Sequence, residues 1–122
     1  MIPEGFCDIR QQKTDENRIL AHIRWNPTHE VFLGHFPGQP VVPGVLQMAV
    51  ANQVLRNELQ KPVFLKSTGQ IKFSAMIDPN IFPECLMEIS YNPVEDAYNV
   101  AVSIRSGDTV FLKMNAIYTS QG

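Results

Sequence analysis

The sequence predicts an α+β domain in which a curved antiparallel sheet wraps around one long central helix. Three observations lead there. The stretch from Val45 to Leu55 is almost free of helix breakers and rich in good helix formers: Leu46, Gln47, Met48, Ala49, Ala51 and Leu55. Residues Arg18–Trp25 alternate strictly, with Ile19, Ala21, Ile23 and Trp25 on one face and Leu20, His22 and Arg24 on the other. Beyond Pro62 the chain is a succession of extended segments separated by turn residues. Two short strands, a helix and three or four long strands in that order segregate into a sheet with one helix against it.

Taken in order, Gly5–Gln12 is a short mixed strand carrying Phe6 and Ile9, and the polar cluster Lys13–Asn17 is a turn into the Arg18–Trp25 strand. Asn26-Pro27-Thr28 ends that hairpin, and Thr28 is placed to cap a short helical turn delivering Phe32 and Leu33 to the loop beyond. The helix should run about fifteen residues, roughly 22 Å. Its first half, Val45 to Ala51, is apolar all round except for Gln47, the mark of a helix enclosed by other structure. Polar Arg56–Lys61 and then Pro62 close it. Val63–Ile77 is extended, with Gly69 as a bulge or bend. Leu86–Tyr91 and Tyr98–Arg105 flank a wide turn at Asn92–Asp96. Ser106-Gly107-Asp108 is a tight hairpin turn into a final strand, Thr109–Thr119.

With 122 residues, 44% hydrophobic and 18% charged, the chain reads as a single soluble domain spanning 1–122. Its net charge of −2 gives no electrostatic reason to expect nucleic acid or an anionic membrane. Cys7 and Cys85 make neither a disulfide framework nor a zinc pattern and read as buried or half-buried thiols in a reducing compartment. No signal peptide or transmembrane-length run is present, so a cytoplasmic protein is expected, with no metal and no cofactor.

The chemistry concentrates in GHFPGQPVVPGVLQMAVANQVL, Gly34 to Leu55. Pro37, Gly38, Pro40, Pro43 and Gly44 constrain the loop backbone around His35 and lead directly into the helix. The string HFPGQPVVPGVL closely resembles the signature of the FabZ-type β-hydroxyacyl-acyl-carrier-protein dehydratases, which are hotdog-fold enzymes. Gly34 to Gly38, Pro40, Val41 and Pro43 to Leu46 match without a gap, and Gln53 matches a glutamine of the family's helix. Ile71-Lys72-Phe73, with Asp78-Pro79 after it, resembles the family's second strand block. The resemblance covers roughly Glu30 to Leu86, and the N-terminal helix many members carry is not visible.

Dehydration of a 3-hydroxyacyl thioester needs a base for the α-proton, an acid for the departing hydroxyl, and donors for the thioester oxygen. An imidazole, with a reference pKa of about 6.5, suits the first task. The resemblance makes His35 that base and the Gly44 N–H, at the helix N-terminus, the group that polarises the carbonyl. It further implies Phe36, Pro37 and Gly38 of the loop, and Val45, Met48, Ala49, Asn52 and Gln53 of the helix, as substrate-binding residues. It also implies an acyl carrier protein bearing an acyl-phosphopantetheine thioester as partner, and a dimer whose sites lie at the interface.

One position departs. The family's helical Glu or Asp falls on Ala49, six residues after Pro43. At about 100° per residue, Ala49 shares its face with Asn52, Gln53 and Arg56, so amides stand where a carboxylate is required. An amide orients a hydroxyl or water but is no general acid at neutral pH. The homodimer is therefore expected to be a weak dehydratase. Two other classes stay open: a non-catalytic acyl-thioester-binding subunit that completes a heterodimer with a homologous dehydratase, and a hotdog thioesterase using water near His35 or Glu30. Of the remaining residues, His22 is expected to be exposed or satisfied and His29 and Glu30 to lie in the short helical turn. Met48 and Met76 read as core, and Asp78 as serving the turn with Pro79.

Overall fold

A computed structural model of the chain describes residues 2–33 and 38–121. Six strands and one long helix follow in order: β1 (Cys7–Asp15), β2 (Arg18–Trp25), a 3₁₀ turn (Glu30–Leu33), α1 (Gly44–Leu59), β3 (Phe64–Phe73), β4 (Glu84–Val94), β5 (Ala97–Ser106) and β6 (Thr109–Thr119). The strands form one curved antiparallel sheet in the order β1-β2-β4-β5-β6-β3, the hotdog fold.

Alternation builds the core. Strand β2 turns Ile19, Ala21, Ile23 and Trp25 inward, β4 turns Cys85, Met87, Ile89 and Tyr91, and β5 turns Val100, Val102 and Ile104. Against this face α1 buries Gln47, Val50, Ala51, Val54 and Leu55, the i, i+3, i+4, i+7, i+8 stripe of a helix with one covered side. The expectation of an enclosed first half is therefore corrected. Val45 is 74% exposed, and Met48 and Ala49 are only half-buried. The apolar surround there is surface that the protomer does not cover.

Local differences have local causes. Strand β1 runs on to Asp15, because Lys13 pairs with Ile19 across the hairpin and its amine lies 3.5 Å from Glu58; the turn shrinks to Glu16-Asn17. The 3₁₀ turn is held by His29 and Asn26 rather than capped by Thr28. The Val31 N–H donates to His29 Nδ1 (3.1 Å), while the Thr28 N–H and hydroxyl both donate to Asn26 Oδ1 (3.1 and 2.7 Å). Strand β3 stops at Phe73, short of Ile77, and its register shifts between Thr68 and Ile71, where Gly69 sits. The wide turn at Asn92–Asp96 gives way to a two-residue connection, Glu95-Asp96, with Glu95 in the left-handed region (φ 55°). Helix α1 ends with Gln60 left-handed (φ 56°), its N–H donating to the Arg56 carbonyl at 2.7 Å. Among the described residues, no helix is long and apolar enough to cross a membrane.

Candidate active site

The start of α1 is built from the loop inward. Val42 pairs with the sheet side of the molecule through its N–H to the Ile77 carbonyl (2.9 Å). Its own carbonyl accepts from Gln47 Nε2 at 3.1 Å, which anchors the residue before Pro43 to the first turn of the helix. Gln47 is buried, and its Oε1 has no partner among the described residues. Pro43 is the N-cap, extended at φ −61° and ψ 143°, and offers no side-chain cap. Its carbonyl takes both the Leu46 and Gln47 N–H groups (3.0 and 3.1 Å). The Gly44 and Val45 N–H groups have no acceptor among the described residues, and the first turn carries no acidic side chain. A sixteen-residue helix thus presents amides with no acceptor among the described residues, and the positive end of its dipole with no acidic side chain in its first turn. Such an end stabilises negative charge developing on an oxygen.

Gly44 lets a side chain of β3 approach closely. The Phe73 ring lies against it, so that a Cβ at position 44 would stand 2.8 Å from Phe73 Cζ. Phe73 is itself 47% exposed, and Val45, Leu33 and Met76 expose large apolar surfaces. Met76 is therefore surface, which corrects its reading as core; Met48 packs partly buried against the core. The sequence marked the Ile71-Lys72-Phe73 block, but the approach of Phe73 to Gly44 depends on where the sheet edge meets the helix, which no local pattern encodes.

His35, Phe36 and Pro37 lie outside the described residues. Gly38, at φ +86°, adopts a backbone conformation that favours glycine. Farther along the helix, Asn52 Nδ2 donates to the Val63 carbonyl (3.0 Å) and Gln53 Nε2 to Asn57 Oδ1 (2.8 Å). Of the other histidines, His22 is exposed on β2, and His29 is locked as the Nε2–H tautomer, accepting from Val31 at Nδ1 while Nε2 donates to the Glu4 carbonyl at 2.9 Å. Glu30 is exposed. Asp78 holds its turn through its carboxylate to the Asn80 N–H (2.9 Å).

Both cysteine thiols are held protonated by burial. Burial, with help from Asp8, pushes the Cys7 thiol up to about 11, and burial also raises Cys85, whose sulfur accepts from the Trp25 indole at 3.3 Å. No group of three or more metal-ligating side chains occurs among the described residues. Two grooves of about 460 and 710 Å³ run along the outer face of the sheet, over Ser90, Ala101 and Asn115, away from the helix. They contain none of the residues implied by the loop motif.

A six-stranded antiparallel sheet curved around one long helix defines the hotdog class of proteins. Comparison narrows the class. A family profile described as ApeI-like, ApeI dehydratase, matches residues 11–112. The chain belongs to this family of FabZ-type dehydratases. The 3-hydroxyacyl-[acyl-carrier-protein] dehydratase FabZ of Lactococcus lactis is 34% identical over 95 residues, which is 72% of this chain and 62% of the relative. FabZ of Rickettsia massiliae is 33% identical over 79 residues, 57% of this chain and 54% of the relative. The chain thus spans 54% and 62% of the lengths of these curated relatives. Among solved structures, a chain of the dehydratase heterocomplex ApeI:P from Xenorhabdus doucetiae superposes with TM-score 0.72 at 19% identity, covering 90% of this chain and 94% of that one. An uncharacterized protein from Erwinia carotovora subsp. atroseptica gives 0.64 at 25% identity, covering 93% and 91%.

Proposed function

We propose that the protein acts on 3-hydroxyacyl thioesters of an acyl carrier protein, converting them to trans-2-enoyl thioesters in fatty-acid or related synthesis, as part of a dimer. His35 removes the α-proton, the Gly44 N–H holds the thioester oxygen as it gains charge, and the C3–O bond breaks to release water. The observation that carries this reading is the helix start, where the Gly44 and Val45 amides have no acceptor among the described residues and no acidic residue stands in the first turn.

The leaving hydroxyl needs a proton, and Ala49 cannot give one. General acid catalysis is worth about 10²–10⁴ in rate, so the homodimer should bind thioester and turn it over poorly. We infer that a homologous subunit retaining the carboxylate completes a site with His35 in a heterodimer. Ala49 favours this reading, and the heterocomplex formed by the structurally similar ApeI:P proteins is consistent with it. The test is to incubate the protein with 3-hydroxyacyl and 2-enoyl carrier-protein thioesters, alone and with a homologous dehydratase whose own histidine is mutated. Activity that appears on mixing and disappears in His35→Ala supports the assignment. Release of free thiol, or undiminished turnover in His35→Ala, overturns it.

A further inference from the structure

We propose that Gln47 is a positioning residue that sets the direction of the Gly44 N–H. It acts by holding the peptide planes on both sides of Pro43. The inference rests on the functional reading above and deepens it by one residue.

Gln47 stands in the first turn of α1 and is only 3% exposed. The orientation of its amide is forced. The Val42 carbonyl, 3.1 Å from Nε2, only accepts, so the side-chain NH₂ must face it. The Gln47 backbone N–H donates to the Pro43 carbonyl at 3.1 Å, beside the Leu46 N–H at 3.0 Å. One residue thus grips the carbonyl of the Val42–Pro43 peptide and that of the Pro43–Gly44 peptide. In a trans peptide the N–H points opposite to the carbonyl, so the second grip aims the Gly44 N–H out of the helix end. A helix start is commonly fixed by an N-cap side chain and by a bond to the N-cap's own N–H. Pro43 offers neither, and Gln47 supplies the constraint from inside the helix. An ionised glutamate could not, because it has nothing to donate.

The same side chain is a poor choice for packing. Its Oε1 is buried with no donor among the described residues. An acceptor buried in that way costs at least as much stability as one uncharged hydrogen bond returns. Leucine or methionine would fill the space without that cost. What the amide alone supplies is a fixed Val42, whose own N–H is tied to the Ile77 carbonyl at 2.9 Å. A donor aimed in advance at a developing negative charge is worth most when it cannot swing.

The experiment uses the dimeric protein and a saturated acyl-pantetheine thioester, inert to dehydration and isotope-labelled at its carbonyl carbon. Infrared difference spectra read how strongly the bound carbonyl is polarised, a measurement that does not need the missing acid. In wild type the carbonyl band should lie below its position in water. Gln47→Met, close in size and unable to donate, should bind the thioester within about threefold of wild type while its band returns towards the free value. Dehydration in the mixed assay with the homologous subunit should fall about ten- to a hundredfold, less than the ~10²–10³ that follows outright loss of an oxyanion donor. Gln47→Leu carries the same test if Gln47→Met does not fold. A folded variant whose band and turnover are unchanged, or whose only change is a lower melting temperature, overturns the positioning role and leaves the functional reading intact. Failure of both variants to fold makes Gln47 a structural residue and overturns it likewise. A wild type that binds with an unshifted band overturns the Gly44 assignment and this inference with it. A wild type that does not bind the thioester overturns the functional reading itself.

Discussion

The ring of Phe73 occupies the space that a side chain at Gly44 would fill, with 2.8 Å between Phe73 Cζ and the position of an added Cβ. Strand β3 and the helix start are thereby coupled at the amide proposed to hold the thioester oxygen. Glycine in a helix gives up about 0.5–1 kcal/mol relative to alanine, so Gly44→Ala gains propensity but must push the ring aside. The ring tip is half exposed and can move, so the net change in wild type should stay within about 1 kcal/mol. In a Phe73→Ala background the same replacement should stabilise by about 0.5–1 kcal/mol. Thermal melts of the four proteins in this cycle check it; equal effects in both backgrounds would show that the contact carries no energy.

Glu88 should make the outer face acid-sensitive. Its carboxylate accepts from Arg105 at 2.6 Å and from Arg18 at 3.2 Å, and the Arg105 hydrogen bond foremost holds it below the usual carboxylate range. A carboxylate with a lowered native pKa contributes its full stabilisation above the unfolded value of about 4.3 and loses it as pH falls through the native one. Glu88→Gln should therefore cost about 0.5–1 kcal/mol near neutral pH, and the gap to wild type should close as pH falls below about 4. Denaturant titrations at pH 7 and pH 3.5 measure it. A gap that stays constant or widens in acid is the contrary result.

Assembly can be tested at the open edge. Strand β3 has β6 on one side and no partner among the described residues on the other, and it exposes Phe64, Leu65 and Phe73. An edge of ten residues with exposed apolar side chains is a template for pairing with a second chain. The protein should run as a dimer or a multiple of one in light scattering at micromolar concentration, and Leu65→Lys should shift it towards monomer. A stable, well-folded wild-type monomer contradicts the dimer on which the proposed site depends.

Strand β2 was legible to the residue because its alternation is strict, and β6 because the turn at Ser106-Gly107-Asp108 marks its start. The helix was legible from its formers and from Gly44. Pro93 shows where sequence runs out. Asn92–Asp96 reads as a wide turn in sequence, yet β4 runs through Pro93 to Val94. The Tyr91 N–H points to the β1–β2 side, to the Asn17 carbonyl at 3.0 Å, and two residues on Pro93 faces the same way. There β2 has already ended, since Arg18 stands opposite Ser90, so the missing N–H deprives no partner. That allowance is set by the length of a different strand. The exposure of Val45 was illegible for a related reason: an apolar helix face looks the same in sequence whether its own sheet or a second subunit covers it. The loop motif could be read because its meaning lies in residue identity and spacing, whereas the hydrogen bond from Asn57 to Gln11 joins residues 46 apart and leaves no local trace.

Ala49→Glu tests the missing acid most directly. The residue is half-buried on α1, one turn before Gln53 and one turn after the exposed Val45, so a longer side chain has room to extend along the helix surface. In the isolated protomer such a carboxyl would remain partly solvated and ionised. Covered by a second subunit across Val45, it would be desolvated and its pKa raised towards the range in which a carboxyl donates a proton. The dimeric variant should therefore gain dehydratase activity over wild type, by up to about 10²-fold, with little loss of stability. The gain should vanish in the Ala49→Glu/His35→Ala double variant, because an acid without a base cannot complete the elimination. Two results weigh against the reading. Wild-type turnover as fast as that of ordinary family members would mean that another group supplies the proton. A variant that binds the hydroxyacyl thioester yet stays inert with His35 in place would mean that this subunit contributes binding and leaves the chemistry to its partner.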